Sequence, residues 1–264
     1  MNDDLKTRLQ FLADKYETIS FCDEDPSQFL RWYSCDDKKL RCDVEAASFL
    51  AAMLAFGSRR QFIPKIAGIL KTADVSSGSF SNWILSRMFE QDFPCGQEKF
   101  YRFYSFDDMR LFFADLGRII GSAPSLGDFF CGKWQEQKAR ASKTDEPHLA
   151  DVISASFPNA KIVPKGKASA NKRVHMFLRW MVRQNSPVDL GFWNWYSPAN
   201  LIIPLDVHVM QEAANLALIP ADASASRRTA ERLTEAMAEV FPGDPARGDF
   251  ALFGLGVDSL AHGR

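Results

Sequence analysis

Helical periodicity runs through nearly all of this 264-residue sequence and constrains its fold more than any other feature. Apolar side chains recur every three or four residues, which is typical of amphipathic helices, and no run of alternating apolar and polar residues predicts a convincing strand. The sequence therefore predicts an all-α fold. The length is sufficient for one large domain or for two helical lobes around a shared cleft.

The clearest helix is predicted at 43–56, where Asp43 is expected to cap the first turn and Gly57 to close the last. Its residues are apolar on nearly every side, so we expect it to be central and buried. A polar break at 58–61 follows, and 135–146 lacks an apolar period and is predicted to be a flexible loop. Further helices are predicted at 62–71, about 106–120, 171–183, 206–217, 229–240 and 249–257.

Composition limits the class of protein without deciding its partner. The net charge of −1 argues neither for nor against a polyanion, because a neutral total can hide a local basic face. No apolar run is long enough to cross a membrane, and the first residues do not resemble a signal peptide, so we expect a cytoplasmic protein without a membrane partner. Reduced thiols are expected for the five cysteines, which form no CxxC pair: Cys22, Cys35, Cys42, Cys95 and Cys131.

The charges are distributed unevenly along the chain. Residues 152–188 contain no Asp or Glu, although 33 of the 264 residues are acidic. An acid-free basic segment is typical of proteins that neutralise phosphate groups, and the alternative is a solvated face without a ligand. The segment holds seven cations: Lys161, Lys165, Lys167, Lys172, Arg173, Arg179 and Arg183.

Asp206 and Lys172 are the two candidates for chemistry. An extended apolar segment with Pro204 leads into Asp206, which is therefore predicted to be the N-cap of a helix, where backbone N–H groups keep a carboxylate ionised. Lys172 lies in the first turn of the preceding helix, where the helix dipole disfavours its charge and favours the nucleophilic free amine. The alternatives are a capping Asp without further function and an exposed cation.

The order of these features resembles the helix-hairpin-helix (HhH-GPD) DNA glycosylases, especially their 8-oxoguanine DNA glycosylase/AP lyase branches. The resemblance rests on a Lys at a helix start and on Pro204-Leu205-Asp206-Val207-His208, and less closely on 249–256 and 49–57. The segment 177–183 looks like an uncharacterised bacterial family within this group. The usual Pro-Gly-Val-Gly hairpin is reduced to 164–167, the Lys-to-Asp spacing is long, and the four-Cys motif of one branch is absent.

The resemblance implies two helical lobes, about 43–188 and 1–42 plus 189–264, forming one glycosylase-like unit over 1–264 with a DNA-binding cleft between the lobes. It implies a repair enzyme, associated with the nucleoid, that excises a damaged base such as 8-oxoguanine from duplex DNA through a Lys Schiff base. Without the four-Cys motif no iron–sulfur cluster is expected, and no other cofactor, metal or protein partner is predicted.

In this resemblance Lys172 is the nucleophile and Asp206 stabilises the developing positive charge on the sugar. Three aromatic residues are candidates for a base pocket, with core packing as the alternative: Trp193, Trp195 and Tyr196. Arg59, Arg60 and Gln61 are candidates for a wedge that fills the DNA strand, with a solvated loop as the alternative. The remaining predicted DNA contacts are Lys161, Lys165, Gly166, Lys167, Arg173 and His208, where His208 has a first-turn hydrogen bond as its alternative role.

Two other functions stay open. The first is a non-catalytic module of the same fold that binds DNA or RNA structures. The second is an enzyme that uses the Lys and Asp pair on a different substrate, because a fold alone does not determine a function.

Overall fold

The computed structural model describes residues 1–142, 146–166 and 168–261, without the side chains of 257 and 259–261. With 62% helix and 3% strand, it confirms the all-α class. The chain divides into a continuous unit, Glu24–Lys165, and a split unit, Met1–Asp23 with Gly166–Arg264. These boundaries differ from the predicted lobes, because the helix that begins at Lys172 packs with the two ends of the chain. Among the described residues, no helix has both the length and the apolarity needed to span a membrane.

The continuous unit is built around one central helix. Its elements are α2 (Arg41–Leu54), α3 (Arg59–Ser77), α4 (Phe80–Leu85), α5 (Phe89–Asp92), β1 (Lys99–Tyr101), β2 (Tyr104–Ser105), α6 (Phe106–Ile120), α7 (Leu126–Arg140) and α8 (Leu149–Ala155). Every residue of α2 from Asp43 to Leu54 is buried, which confirms the central position predicted for this helix. Phe49 of α2 stacks against Phe112 of α6 and against Phe157, so aromatic rings fill much of this core.

Asp43 is not the cap that the sequence predicted. The helix begins earlier, at Arg41, because a short 3-10 turn at Lys38–Leu40 leads directly into it. Asp43 is buried in the first turn, and its carboxylate accepts a hydrogen bond of 2.7 Å from the backbone N–H of Ser81. The carboxylate therefore joins α2 to α4 instead of terminating a helix.

Two segments predicted to be loops are helical. Helix α3 begins at Arg59, so most of the predicted polar break at 58–61 forms its first turn. Helix α7 continues to Arg140, through the first half of the predicted loop at 135–146, and residues 143–145 lie outside the described residues. A short antiparallel hairpin of β1 and β2 forms in an aromatic stretch where no strand was predicted.

The split unit brings together both ends of the chain. It contains α1 (Asp3–Tyr16), α9 (Lys172–Val182), α10 (Val207–Asn215), α11 (Arg227–Ala238) and α12 (Gly248–Ala261). The N-terminal helix packs closely on the last one: a Cβ atom placed on Gly254 would overlap Cδ2 of Tyr16. A side chain at 254 would overlap the tyrosine ring, so glycine permits the close approach of α1 and α12.

Candidate functional site

Helix α9 begins at Lys172, as predicted, after a sharp change of backbone direction. Asn171 has a left-handed conformation, with φ 45° and ψ 38°, and is buried. A positive φ therefore occurs directly before the helix, at Asn171, and another occurs at Gly166 within the predicted hairpin at 164–167. Asparagine tolerates this conformation better than most residues. Because Asn171 is buried, it fixes the position of the backbone at Lys172.

Helix α10 begins after Asp206, and the predicted N-cap is confirmed. Oδ1 of Asp206 accepts a hydrogen bond of 2.8 Å from the backbone N–H of Val209. The preceding segment from Leu201 to Leu205 is buried and contains Pro204, which suits an extended lead into a helix. Burial of this segment holds the cap in place.

Helix α11 is hydrogen-bonded to the segments that precede both helices. The N–H of Arg227 donates to the carbonyl of Ala168 over 2.8 Å, and Ser169 and Ser226 form an isolated antiparallel bridge. Further along α11, the hydroxyl Oγ1 of Thr234 accepts a 3.0 Å hydrogen bond from the N–H of Ile203. One helix thus positions both lead segments. The sequence reasoning missed this role, which has no signal beyond a Ser at a helix start.

These contacts bring Lys172 and Asp206 together although 34 residues separate them. Nζ of Lys172 lies 3.0 Å from Oδ2 of Asp206, and the two side chains are 35% and 29% exposed. The second oxygen of Asp206 is bound to the helix backbone, so each oxygen has a separate partner. The pair is therefore anchored to α10 through Oδ1 of Asp206 and is partly open to solvent.

The carboxylate of Asp206 is kept ionised by its surroundings. Burial raises its pKa, but the charge of Lys172, the Val209 N–H and the charge of His208 together outweigh burial, and the pKa lies below its ordinary value. The expectation that the helix N-terminus favours the free amine of Lys172 stays a prediction.

The acid-free basic segment does not form one basic surface, because four of its seven cations pair with acids from elsewhere in the chain. Lys172 pairs with Asp206, and Lys161 lies 3.0 Å from Asp108. Arg179 and Arg183 are only 3% and 2% exposed and are enclosed by carboxylates. Their partners are Asp189 and Asp249 for Arg179, and Glu17, Asp189 and Asp244 for Arg183.

The buried arginines connect α9 through ion pairs to segments near both ends of the chain. Arg183 lies 2.9 Å from Glu17, which follows α1, and 2.8 Å from Asp244, which precedes α12. Burial raises the pKa of Glu17, but the charge of Arg183 and a hydrogen bond from Arg247 outweigh it and lower the pKa below its ordinary value. The network fixes the helix whose first residue is Lys172.

The other residues of the predicted DNA-binding group lie in varied places. Lys165 is exposed and donates 2.7 Å to the carbonyl of Pro158. Gly166 is exposed with φ +109°, Arg173 is half-buried, and His208 is exposed in the first turn of α10. Lys167 lies outside the described residues. Of this group, Arg173 and His208 are the closest in sequence to Lys172 and Asp206.

The predicted wedge residues belong to the continuous unit. Arg59, Arg60 and Gln61 are exposed in the first turn of α3, and Arg59 lies 3.4 Å from Asp25. They are therefore helical and not part of a solvated loop. Their contact with DNA stays a prediction.

The three aromatic residues proposed for a base pocket differ in exposure. Trp193 is fully buried and packs edge-on against Phe177, and Tyr196 is also buried. Both therefore fill the core, which was the alternative interpretation, and a fully buried ring cannot stack on a base. Trp195 is half-buried and stacks on Trp193, with 5.6 Å between ring centroids. Of the three, Trp195 has ring surface left for a ligand.

The described residues offer no evident metal site. Among them, no group of three or more His, Cys, Asp or Glu side chains is arranged to hold a metal ion. The five cysteines are free thiols, and burial raises the pKa of Cys35, Cys42 and Cys131. The site described above therefore consists of an amine, a carboxylate and the ends of two helices.

Comparison with known proteins places the chain in a family. The model of a family described as "Protein of unknown function (DUF2400)" matches residues 25–258. The chain belongs to this family. The DUF2400 match includes Lys172, Asp206 and α11, but it begins after α1. No curated protein and no solved structure matches the chain.

Proposed function

We propose that this protein is a DNA glycosylase with AP lyase activity, which excises a damaged base through a Schiff base on Lys172. The observation that supports the proposal is the 3.0 Å contact between Nζ of Lys172 and Oδ2 of Asp206, with both side chains partly exposed. An amine beside an ionised carboxylate provides a nucleophile and a group that stabilises positive charge. The glycosylase-like pair of lobes around a DNA-binding cleft is part of this proposal.

In the first step a nucleotide leaves the base stack and its sugar comes to lie against the pair, which costs a few kcal/mol of unstacking. The bond between C1′ and the base breaks, and its electron pair leaves with the base. Asp206 stays ionised and stabilises the positive charge that develops on the sugar. Its oxygen bound to the Val209 N–H keeps the carboxylate in place during this step.

In the second step the amine of Lys172 bonds to C1′ after its ammonium has transferred a proton to the departing base. The sugar ring opens, O4′ takes up a proton, and an imine forms between Nζ and C1′. Loss of a proton from C2′ then expels the 3′ phosphate and breaks the strand. Water finally hydrolyses the imine and releases Lys172.

Borohydride trapping tests the proposal directly, because it reduces the imine and leaves the protein bound to DNA. The assay uses a panel of labelled duplexes, each with one damaged base or an abasic site. Lys172→Gln should abolish the trapped complex and the nicking of abasic DNA, while affinity for duplex stays within about tenfold. Lys71→Gln is the matched control, since it removes an exposed lysine that is not a predicted DNA contact and should leave trapping intact.

Nicking of abasic DNA by Lys172→Gln at the parental rate would show that Lys172 is not the nucleophile. The ion pair also favours a second function, a non-catalytic module that binds DNA or RNA structures. A lysine can bind a phosphate group without acting as a nucleophile. For that function the parental protein should bind duplex but form no trapped complex with any member of the panel.

A further inference from the structure

The charges on α11 are arranged opposite to the arrangement that a helix dipole favours. Its first half contains three arginines, Arg227, Arg228 and Arg232, and its acids are Glu231 and Glu235. The N-terminal end of a helix dipole is positive and favours acidic residues, yet the first turn contains none. The arginines are therefore placed where the helix itself gains nothing from them.

Arg228 and Arg232 are also available to a ligand. Both are exposed and lie one turn apart, while Thr229, Ala230 and Leu233 face the core. Among the ion pairs of the described residues, none involves either arginine. Two exposed guanidinium groups one helical turn apart can each bind an oxygen anion.

The start of α11 is close to Lys172 along the backbone. Ser226 is bridged to Ser169, three residues before Lys172. The Cα atoms of Arg228 and Lys172 therefore lie within about 25 Å, the limit set by 3.8 Å per residue and about 5.5 Å across the bridge. This separation is less than one turn of a DNA duplex, which rises about 34 Å.

The buried state of Arg179 and Arg183 leaves the split unit with fewer exposed cations than its sequence suggested, and α11 supplies others. We propose that Arg228 and Arg232 form a phosphate-binding surface for the DNA backbone beside the Lys172 and Asp206 pair. The inference rests on the proposed function for the identity of its ligand. It assigns contact with DNA to a helix outside the acid-free basic segment.

The experiment measures binding of the full-length protein to an undamaged, fluorescein-labelled duplex of 20 base pairs between 50 and 200 mM salt. Arg228→Gln/Arg232→Gln should raise the Kd about tenfold near 100 mM salt and reduce the slope of log K against log salt by about two. Glu235→Gln should lower the Kd slightly.

The matched control is Lys38→Gln/Lys39→Gln, which removes two exposed cations from the continuous unit and should change the salt slope little. Arg228→Lys/Arg232→Lys should keep the parental slope, and the melting temperature should not fall in the Gln variant. An unchanged affinity and slope in the Gln variant, or an equal loss in the control, would overturn the inference. Since binding is measured separately from trapping, an absence of trapping in the parental protein would contradict the proposed chemistry alone.

Discussion

At the scale of single residues, the carboxylate of Asp206 combines two roles in two different atoms. Oδ1 caps α10 through the Val209 N–H, and Oδ2 faces Lys172. An amide has the same shape and keeps one oxygen for the cap, but it has no charge. Substitution by Asn therefore removes the electrostatic role while the structural role is retained.

Asp206→Asn should reduce base excision about 100-fold or more, because a preorganised charge near the reacting sugar is worth several kcal/mol. The free energy of unfolding should change by about 1 kcal/mol or less, since the cap is kept and a partly exposed ion pair contributes little. Single-turnover excision and urea unfolding measure the two effects. Asp206→Ala is the control that also loses the cap. An Asn variant that excises at the parental rate would limit Asp206 to capping.

The lowered pKa values of Asp206 and Glu17 predict a loss of stability in acid. Each group binds a proton less readily in the folded protein than in the unfolded chain, so folding is favoured above the ordinary values of 3.8 and 4.5. The stability that these two groups contribute should therefore be complete above about pH 5.5 and be lost as the pH drops through these values and below them. Urea unfolding at a series of pH values measures it. Glu17→Gln should flatten this dependence, and an unchanged slope would contradict the pairing with Arg183.

At the scale of elements, the two nearby glycines of α12 show which position lies in its contact with α1. Gly254 and Gly256 belong to the same helix, α12, but have different surroundings. An added Cβ at 254 would overlap Tyr16, whereas at 256 its nearest neighbour would be Glu212 at 3.8 Å. The two positions therefore form a matched pair for substitution.

Gly254→Ala should lower the free energy of unfolding by about 1–3 kcal/mol, because α1 must move away from α12 or Tyr16 must leave its place. Gly256→Ala should leave stability unchanged or raise it by up to about 1 kcal/mol, since alanine favours a helix. Urea unfolding of both variants checks the pair. Equal effects at the two positions would contradict the close contact between Gly254 and Tyr16.

The helices with a strong local pattern were predicted well from the sequence. α6 and α9 lie at the predicted positions because their apolar faces and end residues agree. The end of α7 was wrongly predicted as a loop, since its last turns have few apolar residues and are supported by ion pairs such as Arg140 with Glu136. The periodicity of apolar residues does not reveal a helix that is stabilised by ion pairs.

The candidate site was predicted in part for the same reason. The positions of Lys172 and Asp206 follow from local helix starts. Two of the partners of Arg183, Glu17 and Asp244, are 166 and 61 residues away in sequence, so the acid-free segment did not reveal that some of its cations are paired. Charge pairing over such separations depends on tertiary packing, which local sequence does not specify.

At the scale of the whole molecule, the two units differ in how the chain forms them. Glu24–Lys165 is a single stretch, whereas the other unit needs residues from both ends. Leu9, Leu12 and Ala13 of α1 belong to the same buried cluster as Ala251, Leu252 and Leu255 of α12. The unit that contains Lys172 therefore depends on the first 17 residues, although the DUF2400 match begins after them.

Deletion of residues 1–17 should unfold the split unit and abolish borohydride trapping even though Lys172 and Asp206 remain. The deletion uncovers the apolar face of α12 and removes Glu17, one of the three carboxylates around the buried Arg183, and loss of a partner from a buried ion-pair network is destabilising. Amide hydrogen exchange should show lost protection in 166–261 and retained protection in 24–165. Glu17→Gln is the control with α1 present. Parental protection in 166–261 after the deletion would contradict this dependence.

Because α1 packs against α12, the split unit cannot finish folding until the ribosome has synthesised α12. Tyr16 is synthesised 232 residues before Gly248, the first residue of α12. At about 5–20 residues per second, the first helix waits on the order of 10 to 50 seconds for its partner. During that interval its apolar stripe is open to chaperones and to neighbouring nascent chains. Lys172 and Asp206 are both synthesised before α12, so the unit that contains them is completed only when this helix has been made.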